Sequence, residues 1–173
     1  MELVYILGWA LFSILLLGFT LARSHPYRFP RFMAFESILS LIFLNGGAWF
    51  RDPFSPRQIL SWVCLISSLL LVSAGFFLIK TKGDPEGDFE DTTSLITTGI
   101  YKFIRHPLYA SLFLFGLGAF LKGPSWLGFG LVFTTGLGVY LTARIEESFN
   151  LARFGNDYQV YMKRTKRFIP FIF

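Results

Sequence analysis

The chain has 173 residues, 53% of them hydrophobic and only 16% charged, with a net charge of +5. Average proteins carry about 25% charged residues, so a water-soluble globular domain is excluded, and the apolar excess is gathered in runs near the ~20 residues that a helix needs to cross a bilayer. The single cysteine, Cys64, lies inside one of these runs, which leaves neither a disulfide nor a thiol-rich metal site.

In chain order, residues 3–22 form a charge-free apolar run. Only Glu2 precedes it, without the basic region of a signal peptide, and the run reads as a retained span. A short basic loop with two prolines leads to a second span, 32–50, whose interior carries Glu36. Snorkelling of Glu36, or its pairing with Arg28 or Arg31, is the simplest expectation for a carboxylate there. A breaker-rich turn containing Pro53 and Pro56 precedes a third span, 59–79.

Residues 80–98 are the longest polar stretch, with Asp84, Glu86, Asp88, Glu90 and Asp91 crowded together. Counted from Asp84, a calcium loop would want glycine sixth and glutamate twelfth; Phe89 and Leu95 stand there, so a solvated acidic loop is expected. The fourth span, 108–121, and the fifth, 126–143, are joined by only four residues and must form an antiparallel hairpin. Glycines in both permit close helix packing in lipid. Residues 144–173 form an amphipathic tail, with a helix break expected at Gly155 and a new helix capped by Asn156 or Asp157.

Lys and Arg divide sharply between alternate loops, thirteen on one side and three on the other. The positive-inside rule then puts the N-terminus outside and the C-terminus in the cytoplasm. Membrane orientation accounts for the basic charge, and no nucleic-acid partner is expected. The fold expected is a single all-α integral membrane domain over 1–173, with five transmembrane helices and a cytoplasmic amphipathic tail. Residues 1–79 hold three spans, and 80–173 hold the loop, the hairpin and the tail.

Chemistry is concentrated where the polar loop meets the fourth span, at Gly99-Ile100-Tyr101 and Arg105-His106-Pro107-Leu108-Tyr109. Pro107 fits the first turn of a helix, and backbone N–H groups at a helix start favour anions. Because spans four and five form a hairpin, Arg105 and His106 return to the level of Glu146 and Glu147. The tail then continues with Phe154-Gly155, Tyr158, Tyr161 and Ile169-Pro170-Phe171.

From Thr92 to the end, this series resembles the isoprenylcysteine carboxyl methyltransferase family, which is related to the phospholipid methyltransferases. The resemblance implies an integral membrane enzyme that uses S-adenosyl-L-methionine and needs no metal. It implies a cofactor site made of Thr93, Ser94, Leu95, Ile96, Tyr101, His106, Pro107, Leu108, Tyr109 and Glu146. The cofactor's carboxylate would suit Arg105 or His106, its ammonium a glutamate, and its sulfonium and adenine the tyrosines. The acceptor would be a lipophilic small molecule or prenylated substrate reached through the membrane lipids. If that acceptor is a carboxylate, Arg144 would orient it; if it is a lipid amine, Glu147 would be the base.

Two positions depart from the family pattern. Ser111 stands where many relatives have glycine, and Thr142 stands where relatives carry a substrate-binding arginine. Two other readings share the pattern in part: a membrane sterol-reductase-like enzyme using NADPH, and a non-catalytic subunit that keeps the fold.

Overall fold

The computed structural model describes residues 2–22, 25–84 and 92–170. Arg23, the acids Glu86, Asp88, Glu90 and Asp91, and Phe171 lie outside the described residues. The architecture is all helical: α1 (Glu2–Leu21), α2 (Arg28–Leu44), α3 (Pro56–Lys82), α4 (Pro107–Lys122) and α5 (Trp126–Arg164). Short 3-10 turns occupy Gly46–Ala48 and Gly99–Lys102. Among the described residues the sole extended pairing is one parallel bridge between Ile104 and Lys166.

Local chemistry explains the boundaries. α3 starts at Pro56 behind Ser55, whose hydroxyl accepts from the Gln58 N–H; α5 starts behind Ser125, which accepts from the Gly128 N–H. α2 runs from Arg28 to Leu44, starting and ending earlier than the run 32–50 suggests. It stops where two glycines follow Asn45, whose side chain donates to the Ala119 carbonyl of α4 (2.9 Å). The break expected in the tail is a kink inside α5, with Gly155 at φ 53° and ψ −124°. No atom crowds the place of a Cβ there. Glycine is required by the positive φ rather than by space.

α1, α3 and α5 are long and apolar enough to cross a membrane, and α4 is apolar but shorter, at 16 residues. With ~20 residues sufficient for a span, the 39 residues of α5 hold one and continue well beyond it. The outward faces of α1 and α3 are covered with exposed leucine, isoleucine and phenylalanine. The main helix contacts are α3 on α4 and α2 on α5, with α1 lying on α2 and the α4–α5 hairpin packed more lightly. Gly138 makes the α2–α5 contact possible, because a Cβ there would stand 2.5 Å from the Pro30 carbonyl and 3.0 Å from the Ala34 nitrogen.

At the end of the bundle away from Arg105, Lys122 is fully buried. Its ammonium donates to Gln58 Oε1 (2.9 Å) and lies 3.6 Å from the Trp62 ring centroid. Arg57 donates to the Lys122 carbonyl (3.0 Å), and Ser61 to the Gly118 carbonyl (2.7 Å). These bonds tie the start of α3 to the end of α4. Glu36 has a different partner from the one its sequence neighbours suggest. It accepts from Ser13 of α1 (2.7 Å) rather than pairing with Arg28 or Arg31, because its face of α2 packs on α1.

Candidate functional site

The site forms where three separate segments meet: the 3-10 turn with the start of α4, the half of α5 beyond residue 143, and the tail after Arg164. Pro107 occupies the first turn of α4, with His106 at its N-cap. The tail returns alongside the segment before α4. The Arg105 N–H donates to the Lys166 carbonyl (2.8 Å), the His106 N–H to Arg167 (3.1 Å), and the Lys166 N–H to Phe103 (3.1 Å). Buried Tyr161 adds a bond from its hydroxyl to the Tyr101 carbonyl (2.7 Å).

Glu147 is the electrostatic centre of this junction. Arg105 Nε donates to its Oε1 (2.9 Å) and Arg167 Nη2 to its Oε2 (2.6 Å). His106 Nε2 is 3.4 Å from Oε1 but not aligned as a hydrogen bond, and among the described residues it has no hydrogen-bond partner. Burial by itself would raise the Glu147 carboxyl. The nearby His106 ring and the bonds from Arg167 and Arg105 outweigh it and hold the group well below the usual carboxylate range. The bond to Glu147 in turn pushes Arg167 above its ordinary value. Arg105 also donates to the carbonyls of Met162 (3.2 Å) and Thr165 (2.5 Å), so it tethers the tail as well as neutralising Glu147.

Glu146 lies on the neighbouring face. It accepts from the Tyr109 hydroxyl (2.6 Å), and that phenol accepts from Arg31 of α2 (3.0 Å). Its side chain is 26% exposed against 5% for Glu147, which places Glu146 at a mouth. His106 Nδ1 is 3.9 Å from Glu146 Oε1.

A cleft of about 80 Å³ lies here, lined among others by Leu95, Ile96, Tyr101, Arg105, His106, Pro107, Leu108, Tyr109 and Glu146. Nine of the expected binding residues therefore line one cleft. Thr93 and Ser94 do not line it: their N–H groups donate to the Gly83 carbonyl, and the Thr93 hydroxyl donates to Asp84 (2.8 Å), closing the loop after α3. Arg144 is exposed, with its guanidinium 3.3 Å from the Tyr140 hydroxyl one turn back, and it is also absent from the wall.

Asn150, Phe154, Tyr158 and Tyr161 line the cleft too. Asn150 and Phe154 were not singled out as site residues. Their signal was a spacing of four and eight from Glu146, which keeps them on one helical face. Burial pushes the phenols of Tyr158 and Tyr161 up, so both stay neutral hydrogen-bonding groups.

The donor set fits S-adenosyl-L-methionine in kind. A buried imidazole nitrogen without a hydrogen bond can meet a carboxylate, Glu146 can meet an ammonium, and Tyr101, Phe154 and Tyr158 offer aromatic surface. The cleft's volume is below the ~300 Å³ of an ordinary small-molecule pocket, so a ligand of that size would extend beyond the cleft toward solvent.

Residues 56–157, more than half of the chain, match the family model described as phospholipid methyltransferase. The chain belongs to that family and is a membrane protein. It is similar to the protein-S-isoprenylcysteine O-methyltransferase of Schizosaccharomyces pombe, at 34% identity over 45% of this chain and 34% of that one. It is also similar to a probable protein-S-isoprenylcysteine O-methyltransferase of Oryza sativa subsp. japonica, at 33% identity over 49% of this chain and 44% of the relative. A third relative, the protein-S-isoprenylcysteine O-methyltransferase of Xenopus laevis, is 32% identical over 50% of this chain and 31% of its own. The matched stretch thus spans less than half the length of these curated relatives. No solved structure matches the chain.

Proposed function

We propose that this chain is an S-adenosyl-L-methionine-dependent methyltransferase that acts at the cytoplasmic membrane face on a lipophilic acceptor, a carboxylate of isoprenylcysteine type. The observation that carries the reading is one cleft walled by the Arg-His-Pro-Leu-Tyr segment on one side and by Glu146 with the α5 aromatics on the other. The names of the similar proteins support the same chemistry. When bound, the cofactor supplies an electrophilic methyl group on a sulfonium.

The chain's own residues bind, orient and exclude water. His106 and Arg105 face the cofactor's carboxylate end, and Glu146 takes its ammonium. Tyr101, Phe154 and Tyr158 keep water from the reacting centre, where positioning and a dry site count for most of the rate. Glu147 is proposed as the organiser of the site rather than a base, since a carboxylate enclosed by two guanidiniums has little affinity for a proton. This favours an acceptor that is already ionised at neutral pH, as a carboxylate is and a lysine-like amine with a pKa near ~10 is not. The bias of basic residues supports an outside N-terminus and a cytoplasmic C-terminus, with the chain as one membrane domain.

The test is binding of S-adenosylhomocysteine to the purified protein in detergent. Saturating ligand is expected to raise the melting temperature, as for any ligand that prefers the folded state. NADPH is expected to leave it unchanged. A folded protein that responds to NADPH and not to S-adenosylhomocysteine would overturn the reading in favour of a reductase. A turnover rate that climbs steeply between pH 6 and 8 would replace the carboxylate with an amine acceptor.

A further inference from the structure

The family match begins at residue 56, so α1 and α2 lie outside it. Yet α2 reaches the site. Arg31 donates to the Tyr109 hydroxyl (3.0 Å), and that hydroxyl donates to Glu146 Oε2 (2.6 Å). Both Tyr109 and Glu146 line the cleft. A phenol has a single proton to give and lone pairs to receive with, a guanidinium only donates, and a carboxylate only accepts. With Arg31 in place the Tyr109 proton therefore has one direction, toward Glu146. Without it the hydroxyl can turn about its C–O bond.

The two neighbouring glutamates meet their guanidiniums differently. Glu147 takes direct bonds from Arg105 and Arg167 and is closed by them. Glu146 meets Arg31 only through the phenol, and among the described residues no lysine or arginine pairs with it directly. The relay fixes Oε2 and leaves the negative charge of Glu146 at the cleft without a direct cationic partner. Tyr109 also stacks with the His106 ring, centroids 5.5 Å apart. One phenol thus sets both the carboxylate and the imidazole that a zwitterionic amino-acid group would require.

Arg31 is itself held. Its guanidinium lies over the Tyr27 ring, 4.5 Å from the centroid. Its neighbours on α2, Pro30 and Ala34, take the close approach of α5 at Gly138. His25 and Tyr27, just before α2, wall a small cavity of about 70 Å³ that also touches Glu146. The start of α2 and the residues leading into it therefore converge on this one carboxylate.

We infer that Arg31 is a positioning residue for the cofactor's ammonium: through Tyr109 it fixes the Glu146 carboxylate that receives that ammonium. This rests on the methyltransferase reading of the cleft. A binding group must be held within ~0.5 Å of its productive place by the side chains behind it. Two consecutive bonds with an ionised group at each end do this more firmly than neutral ones. A helix outside the matched stretch then tunes a site whose binding residues lie inside it.

The experiment is calorimetric titration of the full chain in detergent with S-adenosylhomocysteine and with its deaminated analogue, which keeps the carboxylate, thioether and adenosine and lacks only the ammonium. The wild type is expected to prefer S-adenosylhomocysteine by about tenfold or more, since the analogue leaves Glu146 facing no cation. Arg31→Met is expected to weaken S-adenosylhomocysteine about tenfold and the analogue by less than about twofold, so that the preference collapses. Arg31→Lys, which still donates, should restore most of it. Tyr109→Phe should lose the preference as Arg31→Met does. Adding Arg31→Met to Tyr109→Phe should then cost no more than about twofold, because the relay is already broken. An arginine that merely braced the helices would lower the affinity for both ligands alike.

Equal loss for the two ligands, an unchanged preference in Arg31→Met, or full additivity of the two substitutions overturns the inference. If Arg31→Met shows no melting transition and so does not fold, Arg31→Lys combined with Tyr109→Phe completes the same cycle. A folded wild type that binds neither ligand overturns the methyltransferase reading and the inference together. A wild type that binds S-adenosylhomocysteine, with a preference that Arg31→Met leaves intact, overturns the inference alone.

Discussion

Glu146 and Glu147 are adjacent in the chain but ~100° apart around α5, and this small rotation separates a ligand-facing carboxylate from a structural one. Glu146 looks into the cleft and holds Tyr109. Glu146→Gln and His106→Ala are therefore expected to weaken S-adenosylhomocysteine binding tenfold or more, with melting temperatures near that of the wild type; calorimetric titration and thermal scans check both. Glu147→Gln should do the reverse. It leaves Arg105 and Arg167 facing a neutral amide, and breaking a buried ion pair from one side costs about 3–5 kcal/mol, so the melting temperature should fall sharply. The pH dependence has a definite sign. Because folding lowers the Glu147 pKa, its stabilisation is fully present above the unfolded value near ~4.3 and is lost as pH falls below it. The gap in melting temperature between wild type and Glu147→Gln should be constant from pH 8 to 5 and narrow below about pH 4.

Two contacts hold the helices in the arrangement that builds the cleft. Close approach of α5 to α2 depends on Gly138, and a side chain there would strike the Pro30 carbonyl. Gly138→Val should cost about 1–3 kcal/mol by overpacking. It should also disturb the Arg31–Tyr109 bond, visible as weaker S-adenosylhomocysteine binding with a lower melting temperature. At the far end, Lys122 sits against Trp62 and Gln58. Lys122→Met keeps most of the volume but leaves the Gln58 oxygen buried without its donor, at about 1–3 kcal/mol. A lower melting temperature with unchanged S-adenosylhomocysteine affinity is the expected result. Equal loss of affinity would mean that the two ends of the bundle are coupled.

For the whole molecule, the distribution of Lys and Arg makes a prediction about sidedness. With Cys64 buried, a cysteine introduced at the exposed Phe54 should react with a membrane-impermeant maleimide in right-side-out vesicles. One at the exposed Lys163 should react only after permeabilisation. The opposite pattern would reverse the orientation and move the cleft to the outer face. Lys122, counted among the few outer-side cations in the sequence, is enclosed in the structure, so it adds little to the outer loop's charge.

What the sequence determined by itself was whatever depends on local chemistry. Runs of apolar residues locate the helices, Ser55 and Ser125 mark two of their starts, Pro107 marks a third, and Gly155 marks the kink, because each acts within about one turn of its own position. The short turn between α4 and α5 was enough to return Glu146 to the level of His106. Tertiary structure alone decided which faces meet. Whether a glutamate is a ligand or a clamp depends on helix rotation, and the pairing of Glu36 with Ser13 depends on α1 lying against α2. Arg31, 78 positions before Tyr109, reaches the site because α2 packs on α5 through a glycine. Such long-range contacts leave no periodic trace in a single sequence, since either partner satisfies the same local pattern in many other packings.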